Sequence, residues 1–220
     1  MDTSDTATRI RQAALDLAAA QPWSEVTLSA IAAKAELSLA ELAQHYASKS
    51  DILLDFAREM DGALLKSLET DSVEGGPHDR VFDVMLRRFE LLAPHKAALR
   101  SIAAEPASGP QEWLNLLNST LQSQNWILAA AGLEARGFRG DLQKLGLARI
   151  YADVLRVWLD DDDPGLARTM ATLDRKLRDG ETVMQRLETP IAVCNGVIRA
   201  FSSFRDMRTR QRPAPDATAD

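Results

Sequence analysis

Residues 27–53, TLSAIAAKAELSLAELAQHYASKSDIL, decide the fold. Thr27 has the side chain of a helix N-cap, and Ile31 and Ala35 follow at helical spacing. Glu36 and Leu37 make a turn. Ser38 then caps a second helix, with Glu41 three residues on, the pattern of a capping box. Ser48 and Asp51 repeat that pattern and open a longer helix through Ile52, Leu53, Phe56, Met60, Ala63 and Leu64 to about Leu68. Two short helices around a tight turn, ahead of a long helix, outline a helix-turn-helix. In that arrangement the second short helix enters the major groove. Yet Ala35 to Ser48 contains no Lys or Arg.

Working outward, Ile10, Ala13, Ala14 and Leu17 predict a first helix from about Thr8 to Ala20, ended by Gln21-Pro22-Trp23. Downstream, Gly75-Gly76-Pro77 marks a loop, and Val81, Met85, Phe89 and Leu92 form the stripe of the next helix. Pro94 opens another. A long helix follows over about Gln111 to Ala131, then a connector from Gly132 to Gly140 and a helix over about Asp141 to Leu159. Asp163-Pro164 reads as an N-cap followed by proline at the first helical position, and Gly180 as the stop. No strand alternation is present, so the fold class is all-α. The organisation is a head over 1–47, a helical body over 48–180, and a tail over 181–220. From Ile191 to Met207 the tail pairs an apolar stripe with Arg199 and Arg205, and more arginines follow. It reads as a solvated arm, a membrane-surface helix or an extra packing helix.

The net charge of −6 gives no overall attraction to nucleic acid. Within residues 1–50, Arg9, Arg11, Lys34 and Lys49 face six acidic residues, a balance of −2. That is the wrong sign for strong phosphate binding. One cysteine, Cys194, excludes an intrachain disulfide, and the polar start MDTSDTATR lacks a signal peptide's apolar core. Both predict the cytoplasm. The three histidines have no metal-ligand spacing, and no nucleophile–base constellation or phosphate-cradling loop is present. The chain reads as a non-enzyme without a cofactor. The run Asp160 to Asp163 reads as helix capping rather than a Mg²⁺ site.

The head resembles the TetR family of bacterial transcriptional regulators. Ala35-Glu36-Leu37-Ser38 stands where that family usually has Ala-Gly-Val-Ser, and His45-Tyr46 at its His-Phe position. Ser48-Lys49 with Ile52-Leu53 resembles its approach to the fourth helix. The resemblance implies a three-helix head on a ligand-binding and dimerisation body. It implies DNA contacts at Thr27, Ser38, Gln44, His45 and Lys49. Leu39 and Glu41 fall at contact positions with different chemistry, where the family commonly has a base and a threonine. Ala43 replaces its usual tyrosine, and Glu36 its turn glycine. Glu41 has two readings: the closing residue of the capping box, or an acceptor for a cytosine amino group. Gln44 has the chemistry to read adenine. His45 reads equally as a DNA contact or as a packed residue.

The resemblance also implies an apolar effector cavity, for which Phe56, Met60, Met85, Phe89, Trp113 and Leu117 are the candidate lining. Arg88 or Gln124 would be the polar anchor. It implies a homodimer through the helices over about 141–159 and 163–179, with Tyr151, Leu155, Trp158, Met170, Leu173 and Leu177 at the contact. The partners are then palindromic operator DNA and an apolar small molecule or lipid. A second resemblance is to the TetR-like lipid-binding accessory protein of ubiquinone biosynthesis. It rests on Arg87-Arg88…Leu92-Ala93-Pro94-His95 and on Ala148-Arg149-Ile150-Tyr151…Asp161-Asp162-Asp163-Pro164…Leu173-Asp174-Arg175. It implies a head that no longer reads DNA and a membrane-docking helix at 191–207, peripheral to the inner face of the membrane.

Overall fold

Every regular element among the described residues is helical. The computed structural model describes the backbone of residues 3–105, 110–133 and 136–186, and side chains over 5–105, 114–133 and 136–186. Residues 1–178 form one compact unit and 179–220 a second. The basic segment 191–207 lies outside the described residues.

Helix α1 spans Thr3–Ala20. It starts before Thr8 because nothing in its first turns breaks a helix, and Asp5 sits favourably at its N-terminus. Its buried face is Ile10, Ala13, Ala14, Leu15 and Ala18. α2 (Leu28–Lys34) and α3 (Leu39–Ala43) follow a 3₁₀ turn at Trp23–Glu25. α4 (Lys49–Thr70) is long and continuous. α5 (Pro77–Leu92), α6 (Lys96–Ala103), α7 (Pro110–Ala130) and α8 (Gly137–Leu159) build the rest, and the backbone is helical again over 167–186, here α9. The alanine-rich face of α1 lets α6 approach closely. The contact is tied by the Ser101 hydroxyl, which donates to the Gln21 carbonyl at 3.1 Å. The Ser24 N–H donates to the Glu105 carboxylate at 3.3 Å.

The turn between α2 and α3 is a Schellman motif. The Leu37 N–H donates to the Ala32 carbonyl at 2.9 Å and the Glu36 N–H to the Ala33 carbonyl at 3.1 Å. Glu36 therefore sits at the left-handed position, with φ 55°. The end of α7 uses the same pair of bonds with Gly132 at that position, φ 68°. A side chain in this conformation is strained by roughly 1–2 kcal/mol. The Glu36 carboxylate is 89% exposed and 3.9 Å from Arg9, too open for the ion pair to offset that cost. Glu36→Gly is expected to raise stability by about 1 kcal/mol. The check is a higher urea midpoint at unchanged slope; a lower midpoint would show that the turn depends on the side chain.

Three further element boundaries differ from expectation. Pro164 and Gly165 lie in a turn, not in a helix, and Leu166 takes φ 49°. The cause is Asp161, a buried residue whose carboxylate accepts from the Thr169 N–H at 2.9 Å and the Thr169 hydroxyl at 2.7 Å. This anchor places the helix start after Leu166. Asp163 accepts instead from the Gly165 and Ala167 N–H groups, both at 3.2 Å. Gly180 does not end α9, which continues to 186. The glycine connector is also shorter than expected, because α8 begins at Gly137 and buries Gly140. Lys96 and Arg100 of α6 donate to the Asp161 and Leu159 carbonyls, so two cations satisfy the C-terminal end of α8.

Candidate functional site

The surface of α3 is set by its cap. The Ser38 hydroxyl accepts from the Glu41 N–H at 3.2 Å, and the Glu41 carboxylate accepts from the Ser38 N–H at 2.8 Å and hydroxyl at 2.7 Å. The hydrogen bonds from Ser38, the backbone one foremost, hold the Glu41 carboxyl below its ordinary range, so it is a carboxylate at neutral pH. Leu42 turns into the core. The outward positions are Ser38, Leu39, Ala40, Glu41, Ala43 and Gln44, all exposed, with Leu39 at 49%. Thr27 is exposed and caps α2, accepting from the Ala30 N–H at 3.1 Å. His45 is half-buried beside Tyr46 and lines a cleft with Asp51, Asp55 and Arg58.

Each of the four basic residues of the first fifty has a partner within the chain. Arg9 donates to the Ala35 carbonyl. Arg11 donates to Asp55 at 2.6 Å, to Glu59 at 2.8 Å and to Thr8 at 3.0 Å. Lys34 pairs with Asp16 at 3.6 Å. Lys49 donates to the Trp23 carbonyl at 2.7 Å and lies 4.6 Å from the centre of the Trp23 ring. Arg9, Arg11 and Lys49 are thus held by partners within the chain, while Lys34 has only an open surface pair.

The Arg11 network was not legible in the sequence, since its partners stand 44 and 48 residues away. The Tyr46 hydroxyl also donates to Asp55, at 2.5 Å. Burial pushes the Tyr46 phenol up to about 12, with the Asp55 hydrogen bond adding to it. Burial alone would raise the Asp55 carboxyl, but the hydrogen bonds from Tyr46 and Arg11 outweigh it and hold the group low. A depressed carboxyl stabilises the fold above the unfolded value, about 3.9, and that stability is lost as pH falls through the folded value. Asp55→Asn is therefore expected to lower stability at pH 7 and to converge on the unaltered chain as pH falls towards about 3. A constant gap across that range in urea titrations would contradict it.

Residues 10–56 match the family described as bacterial regulatory proteins, tetR family. The match covers α1 to α3 and the start of α4. The fold agrees over most of the chain. A TetR transcriptional regulator from Nitrosomonas europaea ATCC 19718 superposes with a TM-score of 0.62 at 21% identity, over 80% of this chain and 97% of that one. One from Rhodococcus sp. RHA1 gives 0.61 at 17% identity, over 82% and 97%. A tetR-family regulator from Streptomyces coelicolor gives 0.58 at 18% identity, over 94% and 97%. At such identities the likeness is one of fold. Among curated proteins, none matches the chain in sequence.

Beyond the head, the body carries a polar cluster inside its core. Asp61 of α4 and Arg88 of α5 form an ion pair, with side chains 9% and 5% exposed. The Ser123 hydroxyl of α7 donates to Asp61 at 2.8 Å, and Arg88 lies 3.4 Å from the same hydroxyl and 5.7 Å from the Tyr151 ring centre. Next to Ser123 stands Gln124, with no exposed surface. The one sequence signal for this cluster is a charge on the apolar stripe of each of two helices: Asp61 between Met60 and Leu64, and Arg88 between Met85 and Leu92.

The candidate effector residues are placed unevenly. Met85 and Phe89 are completely buried, and Phe89 stacks on Tyr151 at 5.5 Å and tilts against Trp158 at 5.5 Å. Phe56 is buried and meets His95 edge-on at 5.1 Å, while Met60 and Leu117 are half-buried. The Trp113 side chain lies outside the described residues. Of the candidate dimer residues, Trp158, Leu173 and Leu177 are buried within the protomer. Tyr151 and Leu155 are half-buried, and Met170 is exposed. The periodicity that marks these apolar faces does not say whether the same chain or a second copy covers them. Among the described residues no helix is long and apolar enough to cross a membrane.

Proposed function

We propose that the chain is a ligand-responsive transcriptional regulator, acting as a homodimer that sets α3 of each head into the major groove of a palindromic operator. The observation that carries this reading is the exposed face of α3, held in register by a closed capping box within a segment that matches the tetR family. On that face Gln44 would read adenine and Glu41 would accept from cytosine. The hydroxyls of Thr27 and Ser38 would meet phosphates, His45 would contribute from the edge, and Leu39 would meet a thymine methyl. Binding of this kind is weak and only mildly salt-dependent, because few cations replace counterions. The dimer contact would use the outward surface of α8 and α9, where Leu145 and Met170 are exposed. Leu155 and Tyr151 would flank it, with Trp158, Leu173 and Leu177 supporting it from beneath. The effector would enter between α4, α5 and α7.

The test is selection from random duplexes at low salt. It should enrich two inverted half-sites whose centres lie about one helical turn, ~34 Å, apart. A pool with no enriched motif would sink the reading. The pairing of Arg9, Arg11 and Lys49 within the chain favours a second reading: a lipid- or quinone-handling protein with a head retired from DNA. In that case the full chain binds anionic vesicles and a chain lacking residues 190–220 does not. Equal binding by both, or none by either, excludes it.

A further inference from the structure

We propose that the cleft between α4 and α7 binds a flat aromatic carboxylate, its ring against the Trp126 indole and its carboxylate on the Arg58 guanidinium. This deepens the reading of the body as an effector domain and rests on it. The cleft has a volume of about 310 Å³. It is lined on the α4 side by Arg58, Gly62 and Leu65 and on the α7 side by Ser119, Gln122 and Trp126. Arg58 to Leu65 and Ser119 to Trp126 are each about two turns of helix, roughly 10 Å. That length suits a two-ring acid, and the volume stands at the small end of ligand sites, about 300–1,000 Å³.

The charges select the sign of the ligand. Asp61 also lines the cleft, but one of its oxygens is bonded to Arg88 and the other accepts from Ser123 at 2.8 Å. One turn before Arg58, Asp55 accepts from Arg11 and Tyr46. Arg58 stands between these two carboxylates and is exposed, and among the described residues it has neither an ion pair nor a hydrogen bond. A guanidinium in that state can fork onto a carboxylate through two parallel N–H bonds. An ammonium ligand would meet the same charge with the one acid of the cleft already bonded. The aromatic wall selects the rest. Trp126 is 41% exposed, a large apolar surface that folding leaves uncovered. Gly62 brings no side chain, and a Cβ placed there would meet nothing within 4 Å, so the space beside α4 is open. A flat ring stacks on an indole, with a gain beyond the area it buries. Phosphate would use Arg58 alone and a hydrocarbon Trp126 alone; an aromatic acid uses both.

The experiment is calorimetric titration of the full chain, without DNA, with 2-naphthoate, 2-naphthamide and decahydro-2-naphthoate. The naphthoate should bind about tenfold more tightly than its amide, which lacks the charge for Arg58. It should bind roughly fivefold more tightly than the saturated acid, whose puckered rings cannot stack. Arg58→Gln should erase the first preference and Trp126→Leu the second. Gly62→Leu, at an exposed helical position, should weaken all three ligands by filling the cleft. The unfolding midpoint of that variant should hold or rise, since leucine favours helix over glycine. No naphthoate binding, equal affinity for acid and amide, a charge preference that survives Arg58→Gln, or full naphthoate affinity in Gly62→Leu would overturn the proposal. The titration contains no DNA and the operator selection no acid, so the two readings fail separately.

Discussion

Replacing Arg88 with methionine is expected to destabilise the fold by about 3–5 kcal/mol. The guanidinium is the only described cation bonded to Asp61, and both groups are buried in the body. Removing it leaves a desolvated carboxylate with one hydroxyl partner, Ser123. The attraction within such a pair does little more than offset the cost of burying both charges, so breaking it costs far more than the pair contributes. The double variant Asp61→Leu/Arg88→Met should therefore recover most of the loss, because no charge is stranded. Equilibrium urea unfolding of the two single variants and the double variant measures this directly. A loss below about 1 kcal/mol for Arg88→Met would place Asp61 in contact with solvent rather than in the core.

The second large effect concerns the reading face. The triple variant Leu39→Lys/Glu41→Thr/Ala43→Tyr should bind duplex DNA on the order of 10–100 times more tightly at low salt. Each head loses one carboxylate from α3 and gains one cation. Ser38 keeps its own cap to the backbone, so α3 persists. The slope of log affinity against log salt should steepen by about 0.9 per head, close to 2 for a dimer. Fluorescence anisotropy across a salt series measures both quantities. An unchanged slope would mean that α3 does not face phosphate at all, which is the outcome expected of a retired head.

Much of the head was legible because its determinants are local. Ser38 with Glu41, and Ser48 accepting from the Asp51 N–H at 3.2 Å, are contacts within one turn of helix, and their side chains announce them. Pro22 and the helical spacing of Ile31 and Ala35 act over equally short distances. The start of α9 was not legible, because the proline signal at Pro164 is overridden by a bond that the Thr169 N–H donates to Asp161, eight residues earlier. The fate of the cations was hidden for the same reason. Lys49 points at a carbonyl 26 residues earlier, and nothing in its own neighbourhood says so. A count of charges along a chain measures supply; only the folded contacts show how many remain for a ligand.

The continuity of α4 has a consequence for engineering. Its 22 residues, roughly 33 Å of helix, run from Lys49 on Trp23 past Asp55 on Arg11 to Asp61 in the body. On the other flank α1 is fastened to α6 through Gln21 and Ser101. A chimera that grafts only residues 1–47 onto another scaffold would strip α1 of both supports, leaving Arg11 without its acids and the alanine face without a cover. The smallest continuous piece that keeps both supports runs from α1 to the end of α6, α5 included, and a change of the α3 surface is better made by rewriting its side chains in place.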